Sequence, residues 1–195
     1  MNFGNYTQKS LEAVQGAQQL AVQNGNPQLE QIHLLVALLR QEGGLIPQLL
    51  KKMDVTVESF EAAAIAELNK LPRVSGSREA DRFYISSDTD ATFTAAQDQA
   101  QIMHDEFISV EHIFLGLLES AREGVKRLFD MYRITKETAL KALQGVRGNQ
   151  RVTTDNPEGT YDALQIHPDT WHRRSGHPYP VRKWYGPEGS WVRPF

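Results

Sequence analysis

Gln31-Ile32-His33-Leu34-Leu35-Val36-Ala37-Leu38-Leu39-Arg40 is answered seventy-nine residues downstream by Glu111-His112-Ile113-Phe114-Leu115-Gly116-Leu117-Leu118-Glu119. Histidine falls on histidine, and the six positions after it are apolar or small in both copies. Each run is too short to cross a bilayer, which takes about 20 apolar residues. Neither alternates with the period of two that marks a half-buried strand. Apolar side chains lie all round the cylinder, so each run is predicted to be a helix enclosed by other helices. The chain then reads as two small bundles, each built around one such helix.

The same offset extends outward. Leu49-Leu50 falls on Leu128-Phe129, Met53 on Tyr132, Val55-Thr56 on Ile134-Thr135, and Ala17 and Ala21 on Ala96 and Ala100. A duplication of this length decides the fold class before any single helix does. Two copies are too few for a solenoid, and the expectation is an all-α pseudo-twofold domain of two tandem four-helix repeats. Repeat one covers about residues 7–71, repeat two about 86–147, and together they form a domain over 1–147. A linker over 148–165 and a disordered tail over 166–195 are expected to follow.

Between those limits the helices are marked by their punctuation. Thr7 precedes an apolar series at Leu11, Val14, Ala17, Ala21 and Val22, and its hydroxyl can accept from a first-turn N–H. Asn24-Gly25-Asn26-Pro27 ends that helix. The central helix runs from about Leu29 to Arg40, and Gly43-Gly44 breaks it. Pro47 suits the first turn of a short helix ending near Met53. A fourth places Val57, Phe60, Ala64 and Leu68 on one face. After a polar, aperiodic link to about Ser87, the second set carries Phe93, Ala96, Ala100 and Met103, then the second central helix with Ser109 as its cap. A short helix over 123–132 and a last one over 135–146 complete the set.

Composition narrows the function classes. The 195 residues contain no cysteine, which removes disulfides, thiolate nucleophiles and Cys-ligated zinc. The N-terminus lacks the basic-then-apolar layout of a signal peptide, and a cytoplasmic protein is expected. Residues 166–195 hold five basic and two acidic side chains, leaving 16 against 22, a net of −6, in residues 1–165. An acidic body offers no electrostatic footprint for nucleic acid. No membrane contact, metal or cofactor is expected either. His33 and His112 lack an i, i+4 partner that would complete a metal site, and no Ser-His-Asp or paired-carboxylate constellation emerges.

The duplicated helices resemble the Clp N-terminal repeat, the unit at the front of Clp-type AAA+ unfoldases. Phe3, Thr7-Gln8-Lys9, His33 to Gln41 with Glu42-Gly43-Gly44, Leu68-Asn69-Lys70-Leu71-Pro72-Arg73-Val74-Ser75-Gly76 and Asp155-Asn156-Pro157-Glu158-Gly159-Thr160-Tyr161-Asp162-Ala163-Leu164 are similar to the ClpB-type disaggregase in particular. The resemblance covers about residues 3–165. It implies a module that recruits unfolded or aggregated polypeptides, or adaptors, to a hexameric ATP-driven ring. The alternative is a free-standing Clp-repeat protein binding adaptors or a protease-linked ring. No Gly-x-x-x-x-Gly-Lys-Ser/Thr phosphate loop occurs in these 195 residues, so the chain itself is not expected to be an enzyme. Residues 166–195, with all three tryptophans and five of nine prolines, depart from the family and read as a frame-shifted end or a fusion remnant.

The resemblance also implies substrate-engaging residues. Thr7, Asp105 and Glu111 match family positions associated with that role, and Phe93 is the apolar contact by family position. Each has a plainer reading beside it. Thr7 is a helix cap, Asp105 a turn residue, Glu111 a first-turn carboxylate facing the helix dipole, and Phe93 a core side chain. The groove is expected between the repeats, drawing on the fifth and sixth helices, with weak binding tolerant of sequence.

Overall fold

Local punctuation sets the helix ends much where it was expected. The computed structural model describes residues 3–74 and 84–157. Repeat one contains α1 (Gln8–Gln23), α2 (Gln31–Leu39), α3 (Leu45–Lys52) and α4 (Val57–Leu68). Repeat two contains α5 (Ser87–Ile102), α6 (Val110–Ser120), α7 (Glu123–Met131) and α8 (Lys136–Arg147). No strand occurs among the described residues. All nine residues of α2 are buried, and so are the first eight of α6, as helices apolar on every side require.

The seventy-nine-residue register recurs in backbone detail. Thr7 and Ser86 cap α1 and α5, each hydroxyl accepting an N–H three residues on at 3.2 Å. Gly25 and His104 have φ of 66° and 58°, and Asp54 and Arg133 have 58° and 55°. A non-glycine residue adopts that left-handed backbone only at some cost, so its recurrence in both repeats marks a shared turn. One expectation changes. Val22, placed on the inward stripe of α1, is exposed. The buried face of that helix runs through Ser10, Ala13, Val14, Ala17 and Ala21.

The repeats exchange extended segments. Tyr6 pairs with Ile108 and, in the equivalent place, Ile85 pairs with Leu29, both as isolated parallel bridges. Thr7 N–H donates to Ile108 O (3.0 Å) and Ile108 N–H to Asn5 O (2.8 Å); Ser86 N–H donates to Leu29 O (3.0 Å) and Leu29 N–H to Tyr84 O (2.8 Å). Each repeat thus holds the segment that enters the other. Gln31 adds a staple: its amide donates to Asp88 O and Ser120 O at 3.0 Å, and its Oε1 accepts from Arg122 N–H at 3.0 Å. Buried apolar side chains from both repeats form a single cluster, so the two tandem repeats pack as one pseudo-twofold domain with a shared core.

α5 and α6 approach each other closely at Gly116. A Cβ built there would sit 2.5 Å from Thr92 O and 2.9 Å from Ala96 N, both backbone atoms. In repeat one the small residues are exchanged, with Gly16 of α1 facing Ala37 of α2 at an ordinary 3.6 Å. Gly116→Ala is therefore expected to cost about 1–3 kcal/mol through overpacking. That loss has to exceed the roughly 1 kcal/mol that alanine gains over glycine inside a helix. A urea melt in which Gly116→Ala is more stable than the parent would show that α5 and α6 have room to spare.

Candidate functional site

The four residues singled out from sequence lie around one region, where the N-terminal segment, the α5–α6 turn and the chain after α8 converge. Histidine organises it. In each central helix the histidine is the third residue, and its Nδ1 accepts the backbone N–H of the cap residue, Glu30 or Ser109, at 2.9 Å. A backbone N–H can only donate, so Nδ1 carries no proton and the hydrogen resides on Nε2. His33 Nε2–H then donates to Asn26 Oδ1 at 3.0 Å, and His112 Nε2–H donates to Asp105 Oδ2 at 2.9 Å. Asn26 and Asp105 are register partners, so one turn is built with an amide in repeat one and a carboxylate in repeat two. Both histidines are spoken for as hydrogen-bonded parts of a turn. Burial lowers the His33 pKa to about 4 against the pull of the Glu30 backbone bond.

The carboxylate draws in a cation. Asp105 Oδ1 accepts from Arg147 Nη2 and from Val152 N–H (2.8 Å). Burial alone would raise the Asp105 pKa, but the bonds from His112, Arg147 and the Val152 backbone outweigh it and bring it down to about 2. Arg147 is almost wholly buried, and its Nη1 lies 3.7 Å from Glu111 Oε1. Among the described residues neither Glu111 oxygen has a hydrogen-bond partner, and the side chain is fully buried. Among the described residues, Asp105 and Glu111 thus share the Arg147 guanidinium.

This geometry corrects parts of the site expectation. Glu111 is no exposed first-turn carboxylate. Its register partner is Ile32, and both occupy an interior position of an enclosed helix. Thr7 is a cap, but a fully buried one, with its hydroxyl donating to Ser10 Oγ at 3.0 Å. Asp105 turns the chain with its carboxylate shut inside. Phe93 is 2% exposed and meets Phe3 and Tyr6 edge-on at centroid distances of 5.8 and 6.3 Å. All four side chains are buried. What lies at the surface above them is Gln8, Glu106 and, half-buried, Phe3 and Phe107.

Two residues were not foreseen. Arg147 lies just past the expected helix end at about residue 146, yet it closes α8 and turns inward to Asp105. Val152 was assigned to a linker, yet it is fully buried, and its carbonyl accepts from Glu106 N–H at 2.9 Å. The docked stretch reaches at least Asp155, whose carbonyl accepts from Gln8 N–H at 2.8 Å. A lone aliphatic residue in a polar run was the clue available. Residues 158–195, including the expected disordered tail, lie outside the described residues.

Comparison with known proteins now bears directly on this arrangement. The family model described as the Clp repeat (R) N-terminal domain matches residues 5–132. The chain belongs to the Clp repeat N-terminal domain family. Among relatives of this Clp repeat domain, the chaperone protein ClpB of Nitratidesulfovibrio vulgaris is 42% identical over 167 residues, 85% of this chain and 19% of that protein. ClpB of Bacillus cereus is 38% identical over 166 residues, with the same coverage. The chain thus spans about a fifth of the length of these relatives. In fold it is similar to the Hsp104 N-terminal domain from Candida albicans, with a TM-score of 0.67 and 24% identity, covering 79% of this chain and 99% of that one. A ClpV N-domain solved in complex with a VipB peptide has a TM-score of 0.58 and 18% identity, covering 73% and 86%. The Clp repeat fold is the all-α pseudo-twofold expected from the duplication.

Proposed function

We propose that this Clp repeat domain recruits unfolded or aggregated polypeptides, or adaptor proteins, to a ClpB-type disaggregase in the cytoplasm, the ATP-driven work residing in modules other than this one. One observation carries the reading. Around the α5–α6 turn the domain already grips two extended segments by their main chains, residues 5–7 through Ile108 and residues 152–155 through Glu106 and Gln8. Main-chain pairing holds an extended chain with little regard for its sequence, which is what a recruiter of unfolded proteins needs. A ClpV N-domain of this fold was solved with a peptide bound, which supports the same kind of partner here. Thr7, Phe93, Asp105 and Glu111 serve this reading as the rigid floor of the face, and Phe3 and Phe107 as its accessible apolar groups.

Few side chains can be buried on such a face, and an unfolded client must be ordered to bind. The dissociation constant for a permanently unfolded client, such as reduced and carboxymethylated α-lactalbumin, is expected to be on the order of 10–100 µM. Fluorescence anisotropy with the labelled client measures it. Phe107→Ala is expected to weaken binding about three- to tenfold, since one partly buried aromatic contact is worth roughly 1 kcal/mol. A folded chain that shows no saturable binding up to about ten times that concentration range would overturn the recruiting role.

A further inference from the structure

The stretch after α8 is polar and without period, and Val152 is its one aliphatic side chain between residues 147 and 157. That side chain is fully buried. Both main-chain groups of Val152 are paired: its N–H donates to Asp105 Oδ1 at 2.8 Å and its carbonyl accepts from Glu106 N–H at 2.9 Å. Three residues on, Asp155 reaches the start of α1. Its carbonyl accepts Gln8 N–H at 2.8 Å and its carboxylate accepts the Gln8 side-chain amide at 3.3 Å. Gln8 opens a helix, where N–H groups lack internal partners and negative charge is favoured.

These are the marks of a bound extended peptide: main chain paired to the host, Val152 and Pro157 buried along it, and a charge at a complementary end. In repeat one the chain after α4 also returns to its turn, with Val74 N–H donating to Gly25 O at 2.8 Å, yet the Val74 side chain is 55% exposed. Among the described residues, a buried valine after the last helix occurs in the second repeat and not in the first. If residues 152–155 lift away, the N–H groups of Gln8 and Glu106 are left for another chain to take.

We propose that residues 151–155 are the resident occupant of an extended-peptide site, which takes in trans a segment carrying a β-branched apolar residue and, three positions later, an acidic one. The proposal rests on the recruiting role above and names the sequence class the face prefers. A tethered occupant competes at an effective concentration on the order of millimolar. The site therefore presents itself to a partner only when the strap is weakened or drawn away.

The test uses the full chain and a fluorescein-labelled peptide, Arg-Val-Thr-Thr-Asp-Asn-Pro, copying residues 151–157. Val152→Gly removes the buried side chain from the resident strap while the peptide keeps its own, so this variant is expected to bind the peptide at least tenfold more tightly than the parent. A peptide with lysine in place of its valine should lose most of that gain. Because the chain has no cysteine, Gln8→Cys and Asp155→Cys can be joined in the Val152→Gly background as a single disulfide. Oxidation is expected to abolish peptide binding and reductant to restore it in the same sample, which a folding defect would not do. Equal affinity of parent and Val152→Gly, or binding indifferent to oxidation, overturns the proposal. Failure of the peptide with client binding intact removes this site and leaves the recruiting role standing. Loss of client binding with the peptide still bound does the reverse.

Discussion

Arg147→Met is expected to destabilise the domain by about 3–5 kcal/mol, because it leaves buried carboxylates without their counter-charge. Methionine keeps much of the apolar stem and removes only the guanidinium, so packing loss is a minor part of the effect. Asp105 retains His112 Nε2–H and Val152 N–H after the change. Glu111 keeps no partner among the described residues, where the guanidinium 3.7 Å away is its ion-pair partner and neither oxygen is hydrogen-bonded. At roughly 2–4 °C per kcal/mol for a domain of this size, the melting temperature should fall by about 10 °C. A second substitution identifies the cause. Glu111→Ile installs the residue type found at its register position, Ile32, and should recover more than half of the loss in the double variant, read from urea midpoints. If Arg147→Met costs less than about 1 kcal/mol, the buried ion cluster is not what holds the α8 end in place.

The two equivalent turns set the response to acid, His33 in repeat one and Asp105 in repeat two. His33 is held neutral, with a pKa of about 4 against an ordinary 6.5. Between those values the unfolded chain binds the proton and the folded one does not, so stability is lost as pH falls from 6.5 toward 4. Asp105, at about 2 against 3.8, stabilises the fold above the ordinary value and loses that contribution as pH falls further toward 2. Each step is on the order of 2–3 kcal/mol. His33→Gln, which cannot take up the proton, should flatten the first part of the urea-midpoint profile and leave the second.

How much of this was legible beforehand depends on what each residue's neighbours in sequence reveal. The all-round apolar runs at Ile32–Leu39 and Ile113–Leu118 were sufficient to place the central helices, because no other element buries such a pattern. Thr7 and Ser109 could be recognised as cap positions from local chemistry alone. The burial of Glu111 could not, since its position in a first turn suits an exposed carboxylate equally well. Among the described residues its counter-charge is Arg147, thirty-six residues away in sequence. The strap was hidden for a related reason. Composition identifies a polar stretch as linker, and one valine does not change a composition, but its two main-chain hydrogen bonds and closed pocket depend on a turn in another part of the chain. The duplication itself was plain, while the exchange of extended segments between repeats has no periodicity to betray it.

That exchange bears on a second large effect. Phe60→Ala is expected to cost about 3–5 kcal/mol, as deletion of a fully buried aromatic ring does. Phe60 belongs to α4 of repeat one, yet its ring neighbours are in repeat two: Phe129 stacks on it at 6.2 Å and Tyr132 meets it edge-on at 5.0 Å. Phe129 in turn meets Phe114 of α6 edge-on at 5.9 Å. The register partner of Phe60 is Ala139, so this aromatic row has no counterpart on the other side of the pseudo-twofold. Removing it opens a cavity between the repeats rather than inside one, and the loss should be felt equally by both. All three tryptophans lie in residues 166–195, so intrinsic tryptophan fluorescence would report on the wrong part of the chain. Hydrogen exchange reads the core directly. Amides of α2 and α6 are expected to lose protection by the same amount in Phe60→Ala, with a single transition by far-ultraviolet circular dichroism. If α6 kept its protection while α2 lost it, the repeats would be separate bundles in contact, and the shared core inferred from this aromatic row would have to be abandoned.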